Sequence, residues 1–125
     1  EIITAEVLAP LEHVTLSWRG GTGSEVDHYF EARGLKRNIV VTSTNQLAVV
    51  KILTEFPMVS LQTALITDAY RDMPDIMVRP VEADGLALDV GTVWHRRNDK
   101  QPVQEAIRKI IKDILSKGDG LELIP

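Results

Sequence analysis

With 125 residues, the chain is long enough for one domain with a modest core and too short for a second domain of ordinary size. Its 44% hydrophobic and 26% charged residues match soluble globular proteins and exclude a disordered, collagen-like or low-complexity class. A net charge of −4, from 14 Lys and Arg against 18 Asp and Glu, argues against nonspecific nucleic-acid binding by this chain alone, because neutralising phosphates takes a basic excess.

In chain order, His13 to Trp18 alternates and is β-prone, which predicts a strand running into the loop Arg19-Gly20-Gly21-Thr22-Gly23. Thr22 and Glu25 have the spacing of a capping box, Val26, Tyr29 and Phe30 recur at helical intervals, and Gly34 stands where a C-cap glycine belongs. These signals predict a helix from about Ser24 to Arg33. Asn38 to Thr42 reads as a short strand of the kind buried on both faces of a parallel sheet, with Ser43, Thr44 and Asn45 as candidate N-caps after it. Leu47, Val50, Leu53 and Phe56 then form one apolar stripe on a helix that Pro57 ends.

Met58 to Leu61 is expected to be a third strand, and Ala64 to Tyr70 a short helix before Pro74, with Ile76 to Val78 extended again. Leu86, Leu88, Val90, Thr92 and Trp94 alternate over the longest period-two stretch and predict a strand, with Trp94 expected at an interface or hinge. Pro102 suits the first turn of a terminal helix whose Val103, Ile107, Ile110, Ile111 and Ile114 fall on one side; core packing is the default reading of such a stripe. Strands alternating with helices through short connections predict an α/β domain with a mostly parallel sheet flanked by helices.

The chemistry is sparse. Absence of cysteine removes disulfides, thiol catalysis and thiolate metal sites, and it fits a reducing compartment. His13, His28 and His95 are scattered without a metal-ligand interval. Gly20-Gly21-Thr22-Gly23 lacks the Lys-Ser or Lys-Thr of a phosphate loop, and no serine lies in a nucleophile elbow with an assignable His and carboxylate, so neither a nucleotide site nor an enzyme is expected. His95-Arg96-Arg97 with Lys100 reads as a solvated basic turn. No apolar run approaches the length that spans a bilayer. Residue 1 is Glu and no signal-peptide pattern follows, so the chain reads as a piece of a longer one.

In an open parallel sheet, ligands gather at the carboxyl ends of strands. Three such ends are expected here, at Trp18 to Ser24, Thr42 to Gln46 and Ser60 to Thr63, each rich in hydroxyl, amide or glycine groups suited to a carboxylate. Any one of these residues taken singly reads as a helix cap; three loops together read as a binding site.

Leu8 to Trp18, then Gly34-Leu35-Lys36-Arg37-Asn38-Ile39-Val40-Val41-Thr42, and later Val93-Trp94-His95-Arg96-Arg97-Asn98-Asp99 resemble, in their order and intervals, the effector-binding domain of LysR-type transcriptional regulators. The likeness runs from about Thr4 to Ser116. It implies a periplasmic-binding-protein-like (type 2) fold, with residues 1–85 as the second lobe, 86–96 as a return strand and 102–116 as the final helix that in the family packs against the first lobe. It further implies a cytoplasmic bacterial protein that contacts DNA only through an N-terminal helix-turn-helix outside this chain. A small anionic effector would be held by Trp18, Arg19, Thr42, Ser43, Thr44, Asn45, Ser60 and Leu61, with no cofactor. Ser43 to Gln46 is polar where relatives often carry proline and an aromatic residue, and Gln62 stands where proline is common. Self-association through the helix Val103 to Ile114 is expected, because without a first lobe its apolar side has lost its family partner. The alternative from another class is a lobe of an extracytoplasmic solute-binding protein, since fold alone does not decide function.

Overall fold

The computed structural model describes residues 2–17, 24–82, 84–86 and 91–117. The chain divides into two compact units, Glu1–Leu88 and Asp89–Pro125.

The first unit runs α1 (Ala5–Leu8), β1 (Glu12–Leu16), α2 (Glu25–Glu31), β2 (Asn38–Ser43), α3 (Gln46–Glu55) and α4 (Ala64–Thr67), the last continued by a 3-10 turn over Asp68–Tyr70. The two strands pair in parallel, as the strand, helix, strand order requires. On the other side of β1, the expected third strand is reduced to a parallel bridge between His13 and Val59, held by Val14 N–H to the Val59 carbonyl and Val59 N–H to the Glu12 carbonyl. β1 therefore lies between β2 and this segment, and the mixed α/β character expected from the sequence is present with a smaller sheet.

β2 is not the doubly buried strand that its apolar run suggests. Ile39 pairs with His13 and Val41 with Val14, so Val40 is an extra residue, and it is 48% exposed. Exposed and half-buried residues alternate along the whole strand, as on an edge.

The main core joins Ala5, Leu8 and Ala9 around α1 to Tyr29 and Phe30 of α2, with Leu35, Leu61 and Val81 packed against them. His13 belongs to the same side: it is completely buried, meets the edge of Phe30, and donates from Nε2 to the Leu8 carbonyl at 2.8 Å. Successive strand residues point to opposite faces, and the next residue, Val14, is also buried, as is Val49 of α3.

α2 starts at a capping box formed by Ser24 and Asp27, not the Thr22 and Glu25 pair expected. Its other end closes as anticipated at Gly34: φ is +69°, Gly34 N–H donates to Glu31 and Leu35 N–H reaches back to Phe30. Arg37 is buried against α2 and its Nε lies 2.9 Å from Asp27. Burial alone would raise the Asp27 carboxyl, but hydrogen bonds and charge from Arg37, with Ser24, outweigh it and hold the group below the usual carboxylate range. At the end of the unit, Ile3 and Val81 form a second parallel bridge.

The second unit contains a 3-10 turn (Arg96–Asn98) and α5 (Pro102–Leu115). Residues 91–95 are not a strand, which corrects that part of the expected return strand; residues 87–90 lie outside the described residues. His95 Nδ1 accepts from Arg97 N–H and caps the 3-10 turn, while Trp94 donates to Asp99 at 3.1 Å. The half-buried residues of α5 are Gln104, Arg108, Ile111 and Leu115, with Arg108 stacked on Trp94. The stripe expected to be core is open instead, with Val103, Ile107, Ile110 and Ile114 between 50% and 72% exposed.

Candidate functional site

The carboxyl ends of β1 and β2 lie side by side, joined just beyond the strands by Ser17 N–H donating to the Ser43 carbonyl at 2.9 Å. Here β2 turns into α3. The Ser43 hydroxyl accepts from Asn45 N–H at 3.1 Å and orients the turn. Asn45 is the N-cap, its Oδ1 accepting from the backbone N–H groups of Leu47 at 2.9 Å and Ala48 at 3.3 Å. Two of the donors that an anion would use at this helix start are thereby already satisfied.

The third strand end joins through side chains. Gln46 Nε2 donates to Gln62 Oε1 at 2.7 Å, and Gln62 Nε2 donates to the Ser60 hydroxyl oxygen at 3.1 Å. The hydroxyl proton of Ser60 is thereby directed away from Gln62. At the other end of the relay, Gln46 Oε1 is buried with no hydrogen-bond partner among the described residues. Buried acceptors are rarely left unmade, so this oxygen is the point at which an incoming donor gains most.

Of the expected effector contacts, Ser43, Asn45 and Ser60 take part in this arrangement, while Thr42 and Thr44 sit exposed beside it. Leu61 packs against the α1 and α2 core instead, and its hydrophobic contacts account for it. Trp18 and Arg19 lie outside the described residues. In the sequence, Gln46 and Gln62 stand out only as departures from the family's pattern and not as site residues. Both fall inside the polar strand ends marked from the sequence, yet their pairing depends on three-dimensional approach, which spacing does not show.

The chemistry on offer is amide and hydroxyl recognition. Among the described residues no group of three or more His, Asp or Glu side chains is placed to hold a metal ion. The described cations closest to the core of the unit are engaged, Arg37 with Asp27 and Arg33 over the Tyr29 ring at 3.6 Å. No described helix is long and apolar enough to cross a membrane. No protein-family model matches the chain, and neither a curated protein nor a solved structure matches it.

Proposed function

We propose that the chain is the ligand-sensing part of a bacterial LysR-type transcriptional regulator, a lobe of type 2 periplasmic-binding-protein-like fold that takes a small effector carrying an anionic group and a hydrogen-bond donor, the donor for Gln46 Oε1 and the anionic group for partners beyond this relay. The observation that carries this reading is the polar relay Ser60 to Gln62 to Gln46, which joins the segment after the Val59 bridge to the carboxyl end of β2, beside the Ser17 to Ser43 bond at the end of β1. Parallel sheets bind ligands at that edge, and the resemblance in residue order described above points to the same loops. The effector would span this edge and an opposing lobe outside the chain, and shift the balance of two arrangements by its difference in affinity for them. DNA would be contacted by a helix-turn-helix outside the chain, and a cytoplasmic location follows from the same reading.

Two measurements test it. Titration calorimetry with lactate, salicylate and 4-hydroxybenzoate, each pairing a carboxylate with a hydroxyl donor, should find at least one that binds, with affinity falling about tenfold in Gln46→Ala, the loss of roughly one hydrogen bond. Silence across the set counts against an anionic effector. Reading the gene upstream of Glu1 tests the regulator assignment: a winged helix-turn-helix supports it, and an open reading frame without one sinks it.

A further inference from the structure

Gln46 and Gln62 are both half-buried, and their amides are joined in one direction. Gln46 Nε2 donates to Gln62 Oε1 at 2.7 Å, and Gln62 Nε2 donates to the Ser60 hydroxyl oxygen at 3.1 Å. A glutamine amide has one donating and one accepting end, so placing one end places the other. With its NH2 directed at Gln62, Gln46 turns Oε1 away from the relay, and that oxygen is buried without a partner among the described residues. Turning both amides over would keep two bonds, the Ser60 hydroxyl donating to Gln62 and Gln62 donating to Gln46, but would make the Gln46 NH2 the open end. The direction of the relay therefore decides whether a ligand is met there by an acceptor or by a donor.

The two ends of an amide are nearly alike in size and shape, so packing around Gln46 does not choose between them; the hydrogen-bond partner does. Among the described residues that partner is Gln62. Both glutamines lie where this chain departs from the family it resembles, which often carries an aromatic residue in the stretch of the first and proline at the second. Neither of those side chains can form an amide pair, so the relay is particular to this chain.

We infer that Gln62 is a positioning residue that sets the polarity of the site: by holding the Gln46 NH2 it gives Gln46 Oε1 to the ligand, and so selects small carboxylates with an N–H or O–H donor over those of the same shape without one. The inference rests on the effector reading above and adds what chooses among effectors. A buried acceptor discriminates strongly, because a ligand lacking the donor leaves the oxygen unpaired while a donor of equal size completes it. Bonds in a chain also polarise one another, so a donor arriving at Gln46 strengthens the Gln62 to Ser60 bond beyond it.

The test uses the whole chain and two ligands of nearly equal size, 4-aminobenzoate, which carries a donor, and 4-fluorobenzoate, which does not. In titration calorimetry at about pH 8, where carboxylates are ionised, the natural chain and Gln62→Glu should both prefer 4-aminobenzoate about tenfold or more. A carboxylate at this position still accepts from the Gln46 NH2, and the Ser60 hydroxyl rotates to donate to it. In Gln62→Lys the ammonium donates to Gln46 Oε1 instead, and the preference should vanish. A new charge shifts both affinities alike, and a merely structural role for Gln62 would weaken both ligands together, so the ratio is the readout. Direction is read without ligand: nuclear magnetic resonance coupling across the hydrogen bond, from Gln46 Nε2 to the side-chain carbonyl carbon of residue 62, should appear in the natural chain and in Gln62→Glu. Coupling from Gln62 Nε2 to the Gln46 carbonyl carbon, equal affinities in the natural chain, or a preference that survives Gln62→Lys overturns the inference. Reversed coupling with either ligand still bound leaves the effector reading standing. Silence toward both ligands with the expected coupling brings down the effector reading, and the selection of ligands with it.

Discussion

Gln46 and Gln62 face each other at 2.7 Å, one opening α3 and the other following the Val59 bridge, so a single amide pair ties the α3 start to the far side of β1. Gln62→Ala removes both amide bonds and leaves Gln46 with neither end of its amide partnered. Urea unfolding should show a loss of about 1–3 kcal/mol. Ser60→Ala keeps the Gln46 bond and should cost about 1 kcal/mol or less. Equal effects for the two variants would show that the relay does not act as one unit.

Asp27 answers the charge on Arg37, whose side chain is only 3% exposed. Asp27→Asn leaves that guanidinium buried without a counter-ion, and the expected loss is about 3–5 kcal/mol at neutral pH. Because the folded carboxyl titrates below its ordinary value, its contribution is complete above about pH 4 and disappears as the pH falls through the depressed folded value. Acid titration of stability should therefore be shallower in Asp27→Asn than in the natural chain.

His13 carries a different pH signature. Burial pushes its pKa below 6.5, with the bond to the Leu8 carbonyl opposing and the Arg37 charge reinforcing that shift. With Nε2 donating to Leu8, the buried Nδ1 is the unprotonated nitrogen and has no partner among the described residues. The unfolded chain binds a proton near pH 6.5 that the folded chain refuses, so stability should fall as the pH drops below that value. In His13→Gln the slope between pH 7 and 5 should flatten. An unchanged slope would assign it to other groups.

Tyr29 donates from its hydroxyl to the Glu82 carbonyl at 2.7 Å, and Arg33, stacked on the same ring, donates to the Asp84 carbonyl at 3.2 Å. This pair holds Glu82 and Asp84 against α2. Tyr29→Phe should lose about 1 kcal/mol, or roughly 4–8 °C in Tm for a unit of this size, with native circular dichroism retained. Hydrogen exchange should rise first at Glu82 N–H, which donates to the Ile3 carbonyl beside the lost contact.

The parts of the fold that were legible are those decided within a few neighbouring residues. Gly34 marked the end of α2 because only a residue tolerant of positive φ closes it that way, and Pro102 marked the start of α5. The cap of α2 was misplaced by two residues because the familiar box ends in Glu or Gln, whereas here Asp27 makes the reciprocal bond to Ser24. Burial was less readable. Ile39, Val40 and Val41 look alike in sequence, and only the register with β1 exposes the middle one. Likewise Ile111 was assigned to the same side as Ile107 and Ile110, yet it lies with Arg108 on the half-buried side, since a hundred degrees of rotation per residue lets a broad stripe be divided in two ways. At the strand ends the polar loops were identified in advance, but which amide meets which was fixed by the approach of Val59 to β1.

The bridge between Ile3 and Val81 brings the beginning and end of the first unit within backbone hydrogen-bond distance of each other. A chain folded in this way has a natural splice point, since a short linker between these ends replaces one connection and lets the backbone be opened elsewhere without stretching the sheet. The exposed turn after α4, around Arg71 and Asp72, is where such a circular permutant would begin. The segment that carries Val81 then leaves the ribosome before Ile3, β1 and β2 while every contact of the core is kept, so the closing bridge does not depend on which of its two sides is made first.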